Sequence, residues 1–240
     1  MAMRFSGKKV FVTGASRGIG RAIAQAFQTE GAYVTGTRTG KDREPDDVCQ
    51  EWVAADFTDM GQIKACADFV RHAEPDVLIN NAGINKIAPF AEINPDDFQS
   101  IQQVNVFAPF LFCQASIPAM ARRGWGRIIN ISSIWGKVSK EYRASYSASK
   151  FALDGMTLAL AAEHSANGIL ANCIAPGFID TALTRQVLGE QGMQAVVSAV
   201  PSRRLGQADE VARLVLWLAS EENTYITGQN IAIDGGFCRV

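Results

Sequence analysis

A short β-branched apolar run over residues 8–13 leads directly into Thr13-Gly14-Ala15-Ser16-Arg17-Gly18-Ile19-Gly20, and that glycine turn opens a helical pattern over 19–30. Few folds accept such a join. Glycines permit a tight turn and close backbone approach, and the new helix offers unpaired N–H groups to a pyrophosphate. The spacing is Gly-x-x-x-Gly-x-Gly, which departs from the Gly-x-Gly-x-x-Gly fingerprint. A glycine-rich turn can be merely structural, but a strand before it and a helix after it favour a dinucleotide site.

The alternation continues along the chain. Further strands are expected at 32–37, 53–55, 77–79, 127–131, 169–174 and 230–233. Helices are expected at 60–73, from Pro95 onward, around Tyr146 and over 209–220, with a loop-rich insertion after the sixth strand. Strands alternating with helices imply a parallel sheet covered on both faces. The fold class is therefore α/β, a single doubly wound Rossmann domain of about seven strands. At 240 residues the chain is long enough for one such domain, and no linker, repeat or low-complexity segment divides it.

Composition excludes more than it selects. A net charge of -1 gives no argument for nucleic acid or an acidic membrane surface. Five scattered cysteines without a Cys-x-x-Cys argue against a disulfide framework and against a zinc site, so no metal is expected. His72 and His164 lie in helix-like surroundings and read as surface residues. Residues 1–6 are too short and polar for a signal peptide, and no apolar run approaches a membrane span. The expected location is cytoplasmic.

Chemistry first shows at Ser145-Tyr146-Ser147-Ala148-Ser149-Lys150, in a run of small and apolar residues. Tyr146 and Lys150, four apart, share a helix face. A free tyrosine titrates near pH 10. An adjacent ammonium favours the phenolate, which would make Tyr146 a general acid/base. Alone, such a pair is more often a solvated face.

Taken together, the motifs resemble those of the short-chain dehydrogenases/reductases over nearly the whole chain. Thr13-Gly14-x3-Gly18-x-Gly20 looks like that family's cofactor turn, and Asn80-Asn81-Ala82-Gly83 its motif after the fourth strand. Asn105, Ser133, Tyr146 and Lys150 match its catalytic tetrad, Pro176-Gly177 its turn after the sixth strand, and Asp234-Gly235-Gly236 its C-terminal signature. The resemblance implies hydride transfer between a nicotinamide and a carbonyl or alcohol carbon. Tyr146 would move the oxygen-bound proton, Ser133 polarise the carbonyl, Lys150 lower the tyrosine's pKa and hold the nicotinamide ribose, and the Asn105 carbonyl hold a relay water. It also implies that Gly14, Ser16, Arg17, Gly18, Ile19 and Gly20 face the dinucleotide, as do Asp56, Phe57, Asn81, Ala82, Gly83, Tyr146, Lys150, Pro176, Gly177, Ile179 and Thr181. A homotetramer joined through the Asn105 and Tyr146 helices and the last strand is implied too, with a mobile lid over 180–200.

Charge points to the form of the cofactor. The second strand ends Thr35-Gly36-Thr37-Arg38-Thr39, with no acid before Asp42 to hold a ribose 2′-hydroxyl. Arg38, beside Thr39, takes that position, and Arg17 sits in the glycine turn; two guanidiniums can grip a 2′-phosphate. NADP(H) is therefore favoured over NAD(H). Pro109 lies four residues after Asn105 and has no N–H for the Asn105 carbonyl, so a kink is expected there. Lys137, Lys140 and Arg143, opposed by Glu141, together with Lys86, form a basic cluster that could meet an anionic substrate or be a solvated loop. The leading expectation is an NADPH-dependent carbonyl reductase most like the 3-oxoacyl-(acyl carrier protein) reductases, acting on a small-molecule or acyl-thioester substrate. The alternatives are an oxidative alcohol, polyol or sugar dehydrogenase, and a non-catalytic dinucleotide sensor.

Overall fold

Successive residues of the first strand, β1 (Lys9–Val12), enter different layers: Val10 and Val12 join one buried apolar cluster and Phe11 the other. Two-sided burial is what a parallel strand at the middle of a sheet requires. The computed structural model describes residues 3–40 and 47–239. It adds β2 (Tyr33–Arg38), β3 (Glu51–Ala54), β4 (Val77–Asn80), β5 (Gly126–Ile131), β6 (Ile169–Pro176) and β7 (Asn230–Ile233). These strands form one parallel sheet in the order β3-β2-β1-β4-β5-β6-β7. Strand order reverses between β1 and β4, and ligands of such sheets bind at that switch, beyond the carboxyl ends of the strands.

Each face is sealed by helices whose apolar stripes the sequence displays. On one side α1 (Gly18–Thr29) brings Ile23 and Phe27, and α7 (Ala208–Ala219) brings Val211, Val215 and Leu218, onto Val10, Val12 and Val34. On the other, Ile63 and Val70 of α2 (Met60–Ala73), Phe112 and Met120 of α4 (Ala108–Arg123), and Leu160 of α5 (Ala144–His164) cover Phe11, Leu78 and Ile128. Caps fix the helix starts. Asp59 accepts from the N–H groups of Gly61 and Gln62 at the head of α2. Asn94 accepts from Asp96 N at 2.8 Å ahead of α3 (Pro95–Gln102), and Gln207 and Glu210 cap α7 reciprocally.

Two elements differ from expectation. The long helix from Pro95 is interrupted: α3 and α4 are joined by a π-helical turn, Gln103–Phe107, with Asn105 at its centre. This 29-residue rod, Pro95–Arg123, has a mean hydropathy of 1.4 in its most apolar window, so by length and composition it could span a membrane, contrary to the sequence reading. That window is 56% buried within the protein, as a core helix is. The insertion expected to be loop-rich is instead helix α6 (Ala182–Ala199), broken at Gly189 with φ 61° and ψ -178°. Its described side chains are all exposed or half-buried, so no apolar stripe announced it.

Candidate active site

The glycine turn is built to a tolerance of tenths of an ångström. A Cβ on Gly20 would lie 2.2 Å from Gly14 O and 2.4 Å from Asn81 Nδ2. A Cβ on Gly14, which has φ 65°, would lie 3.1 Å from Ala82 Cα. Asn81 Nδ2 donates to Thr13 O at 2.9 Å and to Gly14 O at 3.2 Å, and Thr13 Oγ1 accepts from Asn81 N and Ala82 N, both at 2.9 Å. From the other side Thr37 Oγ1 accepts from Gly14 N at 2.9 Å. Thr13 and Thr37 thus shape the turn; the sequence set Thr13 in the cofactor-turn motif but gave Thr37 no role, though a hydroxyl at the strand's end was the available signal. Arg17 precedes α1 without a side-chain cap, and no acid lies in the first turn. Helix N–H groups without a capping side chain, beside glycines that no Cβ could replace, fit a dinucleotide pyrophosphate. Ser16 is half-buried at the turn, Ile19 packs on the core, and Gly18 faces Thr181, whose Cγ2 would be 3.7 Å from a Cβ there.

At the end of β2, Arg38 is half-buried with its guanidinium 5.4 Å from the Trp52 ring centroid, while Arg17 and Thr39 are exposed. Asp42 lies outside the described residues. Asp56 closes the turn after β3, its Oδ1 accepting from Thr58 N at 2.9 Å and Thr58 Oγ1 at 2.8 Å, so the helix cap falls to Asp59 instead. Phe57 is buried with its ring 5.1 Å from that of Phe112 and can form only the floor of an adenosine site.

The four residues matching the family tetrad converge beyond β4 and β5. Asn105, 1% exposed, grips the loop after β4: its Oδ1 accepts from Ile84 N and its Nδ2 donates to Ile84 O, both at 2.9 Å. The same Nδ2 reaches Ser149 Oγ at 3.0 Å, which binds Asn105 to α5. Gly83 passes between: a Cβ there would lie 3.3 Å from Asn105 Oδ1 and 3.6 Å from Lys150 Nζ. Ser133 follows β5, accepting from Trp135 N at 3.2 Å, and its hydroxyl is near enough to the Tyr146 phenol to lower that group's pKa. Ser132, the neighbouring hydroxyl, turns away to Lys150 O at 3.4 Å.

The electrostatics differ from expectation. Burial raises the Tyr146 phenol above its ordinary value, against the lowering effects of the Ser133 hydroxyl and the Arg143 guanidinium. Lys150 is not what opposes that rise. Its Nζ donates to Ile131 O at 2.8 Å and stands 5.5 Å from the Tyr146 ring centroid. Burial brings its own pKa down to about 8. The basic cluster also disperses. Lys137 Nζ donates to Asn230 O at 2.6 Å, Lys140 stands 3.7 Å from Glu141, and Lys86 pairs with Asp97 at 2.6 Å.

Beyond β6, Gly177 packs on the C-terminal segment, where a Cβ would lie 2.8 Å from Asp234 Cα, and Pro176 pairs with Ile233. Ile179 is buried in the core and bridges to Gly206, so only its backbone can face a cofactor. Thr181 begins α6, accepting from Thr184 N at 3.2 Å.

Comparison with known proteins decides the family. A family model described as enoyl-(acyl carrier protein) reductase matches residues 14–238. The 3-oxoacyl-(acyl-carrier-protein) reductase of Escherichia coli is 36% identical over 247 residues, covering 99% of this chain and all of that one. The chain belongs to the short-chain dehydrogenase/reductase family. The acetoacetyl-CoA reductase of Shinella zoogloeoides is 38% identical, with 94% of this chain and 96% of that one covered. A gluconate 5-dehydrogenase from Burkholderia cenocepacia, solved with NADP and tartrate, superposes with a TM-score of 0.89 at 29% identity, covering 100% of this chain and 98% of that one. This short-chain dehydrogenase/reductase is an oxidoreductase that uses a nicotinamide dinucleotide to interconvert a carbonyl and an alcohol.

Proposed function

We propose that the protein is an NADPH-dependent reductase that converts a 3-oxoacyl-thioester-like or other small ketone to a secondary alcohol. The observation that carries the reading is the convergence beyond the carboxyl ends of the strands of Ser133, Tyr146, Lys150 and Asn105, with Lys150 Nζ 5.5 Å from the Tyr146 ring centroid, Asn105 tied to the same helix through Ser149, and burial keeping the phenol in its protonated form. A bound dinucleotide supplies hydride to the carbonyl carbon. Tyr146 gives its proton to the developing alkoxide, and the Ser133 hydroxyl donates to the same oxygen. Lys150 holds the nicotinamide ribose from its buried station beside Gly83, and Asn105 fixes the loop after β4 and offers its carbonyl to a relay water. Gly14, Gly18, Gly20, Asn81 and Ala82 cradle the pyrophosphate and adenosine side. Arg38 and Arg17 grip the 2′-phosphate, which makes NADPH the better ligand than NADH.

The acyl-carrier and acetoacetyl-CoA reductases named above support the substrate class, and the NADP-bound gluconate dehydrogenase supports the form of the cofactor. The exposed aromatic face of α3 to α5 supports a homotetramer, and five free cysteines are consistent with a reducing, cytoplasmic setting. The test follows NADPH oxidation at neutral pH with a short 3-oxoacyl thioester. Loss of a general acid removes about 10²–10⁴-fold of rate, so Tyr146→Phe is expected to lose turnover on that scale while keeping its affinity for NADPH. Undiminished turnover in the variant, or NADH bound as tightly as NADPH by calorimetry, would overturn the corresponding part of the reading.

A further inference from the structure

Arg143 is the one member of the dispersed basic cluster that stays at the reacting centre. It directly precedes α5, one turn ahead of Tyr146, and is half-buried. Its guanidinium carbon lies 5.7 Å from the centroid of Trp135, two residues after Ser133. Trp135 is itself fixed, standing edge-on to Phe178 at 6.3 Å and to Phe237 at 6.2 Å, with those two rings 5.3 Å apart. Three aromatic rings, from the 3-10 turn after β5, from the turn after β6 and from the C-terminal segment, thus build a rigid platform for one cation.

That cation lacks a counterpart. Arg143 Nε is buried with no hydrogen-bond partner, and among the described residues no carboxylate forms an ion pair with its guanidinium. Glu141, the acid nearest in sequence, pairs with Lys140 instead. A half-buried guanidinium without a carboxylate carries a desolvation cost that its contact with the Trp135 ring offsets only in part. Planar, forked donors suit a carboxylate, and stacking on an indole face presets their orientation.

We propose that Arg143 is a specificity-determining residue that receives a carboxylate carried a few bonds from the carbonyl under reduction, so that the protein prefers oxo acids to neutral ketones. The inference rests on Tyr146 and Ser133 facing that carbonyl. Among the ketones of the proposed function it favours small oxo acids over neutral thioesters, the carboxylate lying over Trp135 while the carbonyl oxygen points to the two hydroxyls.

A matched pair separates charge from shape: 3-oxobutanoate and its methyl ester share one ketone and differ in the anion. Wild-type protein is expected to show the higher kcat/KM for the acid. In Arg143→Leu the acid-to-ester ratio should fall at least tenfold, with partial recovery in Arg143→Lys, which restores charge but not the fork. An unchanged ratio in the leucine variant overturns the proposal. Binding gives an independent readout, with 3-hydroxybutanoate and its methyl ester titrated calorimetrically into the NADPH-loaded protein. A Kd for the acid at least tenfold weaker in Arg143→Leu, with the ester's Kd shifted less, upholds the anion site even if wild type reduces neither ketone; in that event the carbonyl-reductase reading alone fails. Equal acid affinity in the two proteins overturns the anion site whatever the kinetics show.

Discussion

Lys150 is held in the fold at a cost that can be read by titration. The residue is 3% exposed, its ammonium has one backbone carbonyl at 2.8 Å, and burial lowers its pKa to about 8. In the unfolded chain a lysine titrates near 10.4. Below pH 8 both states hold the proton and the penalty is constant. Between about 8 and 10.4 the unfolded state keeps a proton that the native state has released, so this group makes stability rise with pH. Tyr146 acts oppositely at higher pH, because its raised pKa means stability is lost once the unfolded phenol ionises. The difference between wild type and Lys150→Met cancels the tyrosine's share. That difference is expected to move in favour of wild type by a few kcal/mol as pH goes from 7 to 10, measured by urea unfolding without cofactor. A pH-independent difference would show Lys150 to titrate normally. The sequence named this lysine from its spacing to Tyr146, but spacing could not say that the ammonium turns to Ile131 O. Nor could it say which of Lys137, Lys140 and Arg143 faces inward, because that choice is made by Asn230, Glu141 and Trp135, remote or neighbouring partners that only the folded chain brings into range.

At the scale of elements, the helix carrying Asn105 trades regularity for position. Pro109 has no N–H to give the Asn105 carbonyl, and the chain passes through the π turn Gln103–Phe107 just before it. The sequence foretold an irregularity here from the proline, though as a kink and not as a widened turn. Pro109→Ala restores the missing donor and removes a helix-disfavoured residue. The variant is expected to melt at or above the wild-type temperature while kcat falls at least tenfold, because a regular helix would pull Asn105 off Ile84 and Ser149. Unaltered kcat would show that the turn does not serve the site. Elements with a buried stripe were legible: the alternating apolar runs gave all seven strands and the helices facing the two clusters. Helix α6 was not. Its described side chains lie outside the core, so the sequence could read the segment only as a loop-rich insertion.

For the whole molecule, the outer face of the helices that carry Asn105 and Tyr146 remains apolar. Phe98 of α3, Phe107 of the π turn, Phe110 of α4, and Phe151 and Leu158 of α5 are all exposed, the last at 53%. Phe107 and Phe110 lie 6.2 Å apart beside a hollow of about 570 Å³ lined also by Met60, Val106 and Met156. Contiguous aromatic surface of this kind marks an association site. Its place on these helices has a mechanical consequence: subunits packed there would brace the rods that hold Asn105 against Ser149 and Tyr146 against Ser133. Phe107→Asp combined with Phe110→Asp puts carboxylates into that face without touching either buried cluster. Light scattering is expected to find a tetramer for wild type and a smaller species for the double variant, with the melting temperature and turnover of the smaller species both reduced. A double variant that keeps the wild-type mass would assign subunit contact to another face. A smaller species with full turnover would instead show that the intramolecular grip of Asn105 on Ile84 and Ser149 is enough to hold the site.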